Sequence, residues 1–394
     1  MAHDALMPEL DFARAPLPDL HAVLEALRAH GPVVPVRFHG ELSWLILGYD
    51  ELAAAFADDQ TFPSREIYER IAMPVMGKTI QCMAGDEHRR NRALVSHVFR
   101  PALMRGAVET LLEPLAHELI DRFAARGEAD LVADFSRRFP FLAITRLLGI
   151  PVADEDKLID WAQKLIEFPW DPEGARAGAR EFTDYLRVLV AERRARPGED
   201  LVSELAYAEI DGERLADEEI FSFLRLLFPA GSDTTYKNLG SLLALVLARP
   251  DVAALARENG EAIPAIVDEG LRFEPPVALL PRACGKDVHW AGVHLAAGSP
   301  LLYGIAAANR DRAVFPDPHR FDPGRKGSRH LSFGHGLHFC LGSHLARREL
   351  EVALGALLRR LPGLALAEPE PVRITGGVIR GPERVAARWE KART

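Results

Sequence analysis

Cysteine is scarce in this sequence. The three residues, Cys82, Cys284 and Cys340, lie far apart and form no CxxC pair, which excludes a disulfide framework and suits a reducing compartment. Long apolar runs are missing too, since none reaches the roughly 18 to 20 residues that a membrane-spanning helix requires. Met1 to Leu20 carries His3, Asp4, Glu9, Asp11, Arg14 and three prolines, so it lacks the apolar core of a signal peptide. There is no basic excess: 48 Lys and Arg against 57 Asp and Glu give a net charge of −9. A general nucleic-acid binder, which displaces counterions with Lys and Arg, is therefore disfavoured. Internal repeats, low-complexity tracts and flexible linkers are also lacking. The remainder is of ordinary globular composition, 48% hydrophobic and 27% charged, in a chain long enough to bury a sizeable core. The expectation is one large domain over residues 1–394, monomeric, cytoplasmic and without a membrane anchor.

Val33 to Phe38 and Leu42 to Leu47 flank His39-Gly40 and read as a hairpin. From Tyr49 to about Ala248 the pattern becomes long amphipathic segments broken by Pro and Gly, which predicts a nearly all-helical stretch. Asp217 to Arg249 is the longest of these. Its interior Pro229-Ala-Gly231-Ser-Asp-Thr-Thr235 is expected to distort the helix, because proline lacks the donor and crowds the preceding turn. A further helix is predicted at 261–273, then Pro275-Pro276 and strand-like runs to about Tyr303. An irregular stretch, 309–328, precedes a last helix at about Leu341 to Leu361. The fold class expected is mainly α with small β-sheets.

One segment concentrates the chemistry: Phe333-Gly-His-Gly336-Leu-His338-Phe-Cys340-Leu-Gly342. Two glycines permit a tight turn with positive φ, and Cys340 falls at a helix start, where the macrodipole and free amide donors favour a thiolate, a soft metal ligand. On residue types alone, His335, His338, Cys340 and His344 could instead bind zinc, although their short irregular spacings converge poorly on one tetrahedral ion. An inert buried cysteine is a third reading.

Phe333-Gly-x-Gly-x-His-x-Cys340-x-Gly342 resembles the haem-ligand loop of the cytochrome P450 family. Ala230-Gly231-Ser232-Asp233-Thr234-Thr235 is similar to that family's oxygen-activation motif, Glu269-Gly-Leu-Arg272 to its helical ExxR pair, and Phe315-Pro-Asp-Pro-His-Arg320-Phe321 to the meander that follows. The likeness runs in order along nearly the whole chain. It implies the family fold, with haem b between the long kinked helix and the cysteine loop, and Cys340 as the axial iron ligand, with Phe333 and Gly342 around it.

By the same resemblance, Gly231 leaves room for dioxygen, and Asp233 and Thr234 organise a water chain that delivers protons during its cleavage. Glu269 and Arg272, joined by Arg320, hold the cysteine loop. His88, Arg92, Arg282 and His338 are the candidate partners of the haem propionates, which need cationic or donor contacts once buried. Pocket candidates come from the Ile71 to Cys82 loop, Phe168 to Trp170, Leu226 to Leu227, Val277 to Leu280 and Gly376 to Ile379, with Leu227, Ala230, Val277, Leu280 and Ile379 singled out.

The implied activity is insertion of one oxygen atom into a small hydrophobic substrate. Electrons would come from NAD(P)H through a ferredoxin reductase and a ferredoxin docking on Arg89, Arg90, Arg100, Arg105, Arg347 and Arg348. A peroxide-driven peroxygenase and a non-enzymatic haem binder or sensor are the competing readings on the same scaffold.

Overall fold

A computed structural model describes residues 5–391, apart from 15, 16, 18, 97, 98, 100–105, 107, 153 and 328. The elements around the site are α1 (Leu20–Arg28), β1 (Val33–Phe38), β2 (Glu41–Ile46), α2 (Tyr49–Ala57), α3 (Arg65–Ile71), α4 (Gly85–Ser96), α5 (Phe139–Leu148), α6 (Glu155–Ile166), α7 (Pro172–Ala195), α8 (Asp217–Leu247), α9 (Ile263–Phe273), β3 (Leu280–Ala283), β4 (Pro300–Tyr303) and α10 (Ser343–Arg360).

The central helix α8 packs against α5, α6, α7, α9 and α10. Its sequence is apolar on nearly every face, as a helix surrounded by others must be. It starts where Asp217, Glu218 and Glu219 complement the positive end of the helix dipole, with the Glu219 carboxylate accepting from the Ala216 N–H at 2.8 Å. The helix holds Pro229, where a distortion is expected, in its interior and continues to Leu247. The hydroxyls beyond the proline bond back along the helix, Ser232 to the Phe228 carbonyl at 3.0 Å and Thr234 to the Ala230 carbonyl at 3.1 Å.

The hairpin forms as read, with β1 antiparallel to β2, and joins a four-stranded sheet of order β1-β2-β4-β3. β2 and β4 are parallel, while β3 and β4 are antiparallel with Arg282 opposite Leu301 and Leu280 opposite Tyr303. The stretch expected to be nearly all helix also holds a strand at Glu128–Asp130 and a short hairpin at Glu209–Ile210 and Glu213–Arg214. No single described helix is long and apolar enough to cross a membrane.

Glu269 and Arg272, one helical turn apart on α9, form a fully buried bidentate pair at 2.8 and 2.7 Å. The remaining Arg272 donors reach the carbonyls of Asn309, Pro318 and Arg320 at 2.9, 3.0 and 3.2 Å. The arginine that joins the pair is therefore not Arg320, whose side chain is exposed and which contributes only its carbonyl. It is Arg325, whose Nε lies 3.5 Å from Glu269 Oε2 and whose other nitrogens donate to the carbonyls of Pro316, Asp317 and Arg320. From there the network reaches the cysteine loop. The Asn309 side chain accepts from the Leu331 N–H at 2.7 Å and donates to Ser332 Oγ at 2.9 Å, and Ser332 donates to the Leu271 carbonyl at 2.7 Å.

Removing one member of a buried ionic network costs about 3 to 5 kcal/mol, whereas an exposed side chain away from such features costs within about 0.5 kcal/mol. Arg325→Gln is therefore expected to lower the denaturant midpoint strongly and Arg320→Gln hardly at all. Equal midpoints for the two variants would refute the reassignment.

Candidate active site

Gly334 and Gly336 both sit at φ +71, and a Cβ on Gly336 would come within 2.7 Å of the Phe56 carbonyl on α2. The turn thus needs glycine twice over, for conformation and for close approach. The Cys340 N–H donates to the Phe333 carbonyl at 2.8 Å and closes the loop, while the Arg347 guanidinium lies 4.5 Å over the Phe333 ring. Gly342 caps α10, two residues beyond Cys340.

The accessible surface of Cys340 opens into an internal cleft. Burial pushes its thiol pKa up, with the Gly342 N–H, Arg92 and Arg347 pulling the other way. The thiolate bias expected from a helix start is therefore outweighed by desolvation in the loop alone, and a cation bound beside the sulfur would supply the missing compensation.

The cleft holds about 290 Å³ and is lined from α8 by Leu227, Ala230, Gly231 and Thr234, and from the cysteine side by Phe333, Cys340 and Leu345. Four polar residues from three segments join its wall: His88 and Arg92 on α4, Arg282 on β3 and His338 in the loop. The His88 ring is buried with neither nitrogen partnered, and desolvation, reinforced by His338 and Arg92, lowers its pKa to about 4. Arg282 is buried with no carboxylate at ion-pair distance among the described residues. Arg92 donates to the Phe339 carbonyl, and His338 Nε2 lies 3.0 Å from Asp59 Oδ1. Orphaned donors and an uncompensated cation around an otherwise apolar space, with one thiol on its floor, fit a flat apolar macrocycle carrying carboxylates and a central metal. Zinc does not fit, because no group of three His, Cys, Asp or Glu side chains converges on one point among the described residues.

On α8, the space beside Gly231 is taken by Ile144 of α5: a Cβ there would lie 2.7 Å from Ile144 Cγ1. Close helix packing is thus a sufficient reason for this glycine. Thr234 borders the cleft, but Asp233 lines a polar cavity of about 270 Å³ with Gln163, Glu167, Tyr236 and Lys237. Burial raises the Asp233 pKa to about 6, against the opposing pull of Lys237.

Adjoining the cleft, with which it shares wall residues, is a largely apolar pocket of about 250 Å³ bordered by Ala230, Thr234, Val277, Leu280, Arg282 and Ile379. Leu227 lies only on the cysteine side, and its neighbour Leu226 faces both spaces. Sequence reading missed several wall residues, including Phe38, His39, Tyr68 and Arg70, because they belong to a hairpin tip and a short helix whose pattern announces only secondary structure. It also missed Glu349 on α10, a fully buried carboxyl that faces Thr235 at the cleft wall and is held well above the ordinary carboxylate pKa by desolvation.

The expected basic patch is largely compensated. Arg89 pairs with Asp86, Arg90 with Asp211 at 2.8 Å, Arg347 with Asp268 at 3.4 Å and Arg348 with Glu351 at 2.5 Å. Arg100 and Arg105 lie outside the described residues.

Comparison with known proteins agrees with this geometry. A family profile described as Cytochrome P450 matches residues 168–385. The chain is 37% identical to Cyclomarin C epoxidase CymV of Salinispora arenicola, covering 86% of this chain and 88% of the relative. It is 36% identical to Mycinamicin IV hydroxylase/epoxidase of Micromonospora griseorubida, over 95% and 98%. Among solved structures, the cytochrome P450 enzyme CxnD for C-S bond formation in chuangxinmycin biosynthesis superposes with a TM-score of 0.91 at 32% identity, covering 100% of both chains. This chain belongs to the cytochrome P450 family and is a monooxygenase of its bacterial kind.

Proposed function

We propose that the protein oxidises a small, largely apolar molecule by inserting one atom of dioxygen. The observation that carries this reading is that Cys340 and Thr234 border one cleft whose edge is set with His88, Arg92, Arg282 and His338. Haem b, when bound, supplies the iron that activates dioxygen. In this reading Cys340 Sγ would bind that iron, and the four polar residues would hold the propionates. The relatives' names span epoxidation, hydroxylation and C–S bond formation on natural products, and a mid-sized natural-product intermediate is the substrate class we favour here.

The substrate rests in the apolar pocket, where Val277, Leu280 and Ile379 exclude water and orient it towards Ala230 and Thr234. Asp233 holds a proton at its carboxyl for delivery to the cleft side, where Thr234 Oγ1, its own hydroxyl proton donated to the Ala230 carbonyl, keeps a lone pair free to accept a hydrogen bond. A pKa of about 6 lets Asp233 both accept and release a proton near neutrality. Electrons are drawn from NAD(P)H through a ferredoxin reductase and a ferredoxin, which docks beside the cysteine loop, where Leu337 is exposed. The ion pairs of Arg89, Arg90 and Arg348 are at the surface and each is worth at most about 1 kcal/mol, so a partner's carboxylates can replace them. The free cysteines suit the cytoplasm, and we treat residues 1–394 as one catalytic unit.

Optical titration of the ferric protein with a panel of apolar compounds is expected to give a saturable Soret shift. Cys340→Ser is expected to lose the thiolate-type carbon monoxide spectrum, and retention of that spectrum would refute the ligand assignment. Thr234→Ala should keep haem and substrate binding while raising peroxide formed per NAD(P)H several-fold; unchanged coupling would remove Thr234 from proton delivery.

Asp233 gives a pH test with a definite sign. Its pKa is about 6 in the fold against an ordinary 3.8, so between these values the unfolded chain ionises first and stability falls as pH rises, by no more than about 3 kcal/mol in total. Asp233→Asn cannot ionise. Its melting temperature relative to wild type is expected to rise from pH 4 to pH 7 in ~1-unit steps, and a constant difference would show that Asp233 is not held protonated by burial.

A further inference from the structure

Arg282 is buried, with 5% of its surface exposed, on the boundary shared by the apolar pocket and the cysteine-side cleft. Its guanidinium donates to the carbonyl of its own neighbour, Pro281, at 2.9 Å. The Asp59 carboxylate acts on the charge only from beyond ion-pair distance, and the groups packed on the guanidinium are aromatic. The guanidinium carbon sits 5.4 Å from the ring centroid of Tyr68 and 5.4 Å from that of Tyr303.

These two rings arrive by different routes. Tyr303 lies on β4 two residues beyond Leu301, the direct partner of Arg282 across the β3–β4 ladder, so it is the diagonal neighbour that long side chains can reach. Its ring is fixed twice, by its hydroxyl donating to the Ala55 carbonyl at 3.1 Å and by edge contact with Phe56 at 4.8 Å. Tyr68 comes from α3 and borders both spaces, as Arg282 does. A buried cation can be compensated by a carboxylate or by ring faces. A carboxylate would neutralise it. Ring faces offset part of the desolvation and fix the plane of the guanidinium, yet leave its charge and donors available to an anion in the cleft.

We propose that Tyr68 and Tyr303 are positioning residues that clamp Arg282 as a cation with no direct ion pair, directed at a haem propionate. The proposal rests on the haem reading above. The clamp acts on cofactor retention through Arg282, and neither ring is asked to touch the reacting atoms.

The test uses haem release from the loaded protein to excess apomyoglobin, followed optically, for wild type, Tyr68→Phe, Tyr68→Leu and Arg282→Gln. Tyr68 is chosen because it borders a cavity, whereas Tyr303 is locked into the core. Loss of one ring face is worth about a five-fold faster release for Tyr68→Leu, while Tyr68→Phe, which keeps the ring, is expected to remain at the wild-type rate. In the Arg282→Gln background Tyr68→Leu should add nothing, since the ring would have no cation left to hold.

A wild-type rate for Tyr68→Leu overturns the clamp. So does an equal effect of Tyr68→Phe, which would place the role in the hydroxyl, or a full Tyr68→Leu effect without Arg282, which would mark a general packing role. A wild-type protein that takes up no haem would instead overturn the haem reading on which the clamp rests.

Discussion

Arg272 carries a full positive charge with no accessible surface, and the geometry of the cleft depends on how that charge is accommodated. Burying an ion costs several kcal/mol unless every donor is satisfied in good geometry. Here the guanidinium is shared among the Glu269 carboxylate and three carbonyls of an irregular segment. An arrangement that swung the segment away would leave the charge unpaired, so the segment has one well-determined position despite its lack of helix or strand. Asn309 passes that determinacy on through Leu331 and Ser332 to the loop bearing Cys340. The sulfur is thus positioned from the far side of α9, through a chain of hydrogen bonds that begins at a salt bridge.

The cleft contains conflicts that the protein alone leaves standing. Desolvation raises the Cys340 thiol pKa and depresses that of His88, and Arg282 packs on two rings with no carboxylate at ion-pair distance among the described residues. Natural sequences break local rules of this kind mostly where a ligand completes the arrangement. A single group with a metal at its centre and carboxylates at its rim answers all three, and its binding energy is in part the release of these conflicts.

Much of this was legible in the residues because it is written in local rules. Gly334 and Gly336 announce a turn, and Glu269 and Arg272 share a helix face by their spacing. The error at Arg320 has a physical origin. In an irregular segment no periodicity says which arginine turns inward, and both contribute to the network, one through a carbonyl and the other through a guanidinium. Gly231 was ambiguous for a similar reason: a missing side chain leaves room in one direction only, and the sequence does not reveal that Ile144 takes it. Tyr68, Asp59 and Glu349 matter through tertiary neighbours, and nothing in their own segments distinguishes them from ordinary helix or loop residues.

Asp233 and Thr234 show how a helix can divide a task between two spaces. Successive residues on an α-helix point about 100° apart, so an adjacent acid and alcohol cannot both face one cavity squarely. Here Thr234 borders the apolar cleft, while Asp233 turns into a polar cavity with Glu167, Gln163 and Lys237. The cavity and the apolar pocket share Ile166, Trp170, Val378 and Ile379 as a partition. In the function proposed here, such a partition would keep solvent away from the substrate and leave the shoulder of the helix as the short route for a proton. The acid is desolvated enough to be half protonated near pH 6, and Lys237, one turn further along α8, opposes that shift. Separating a proton store from an oxidation pocket by one helical step would then reconcile two demands of that proposal that a single wet cavity could not meet: water must reach the acid, and it must not reach the substrate.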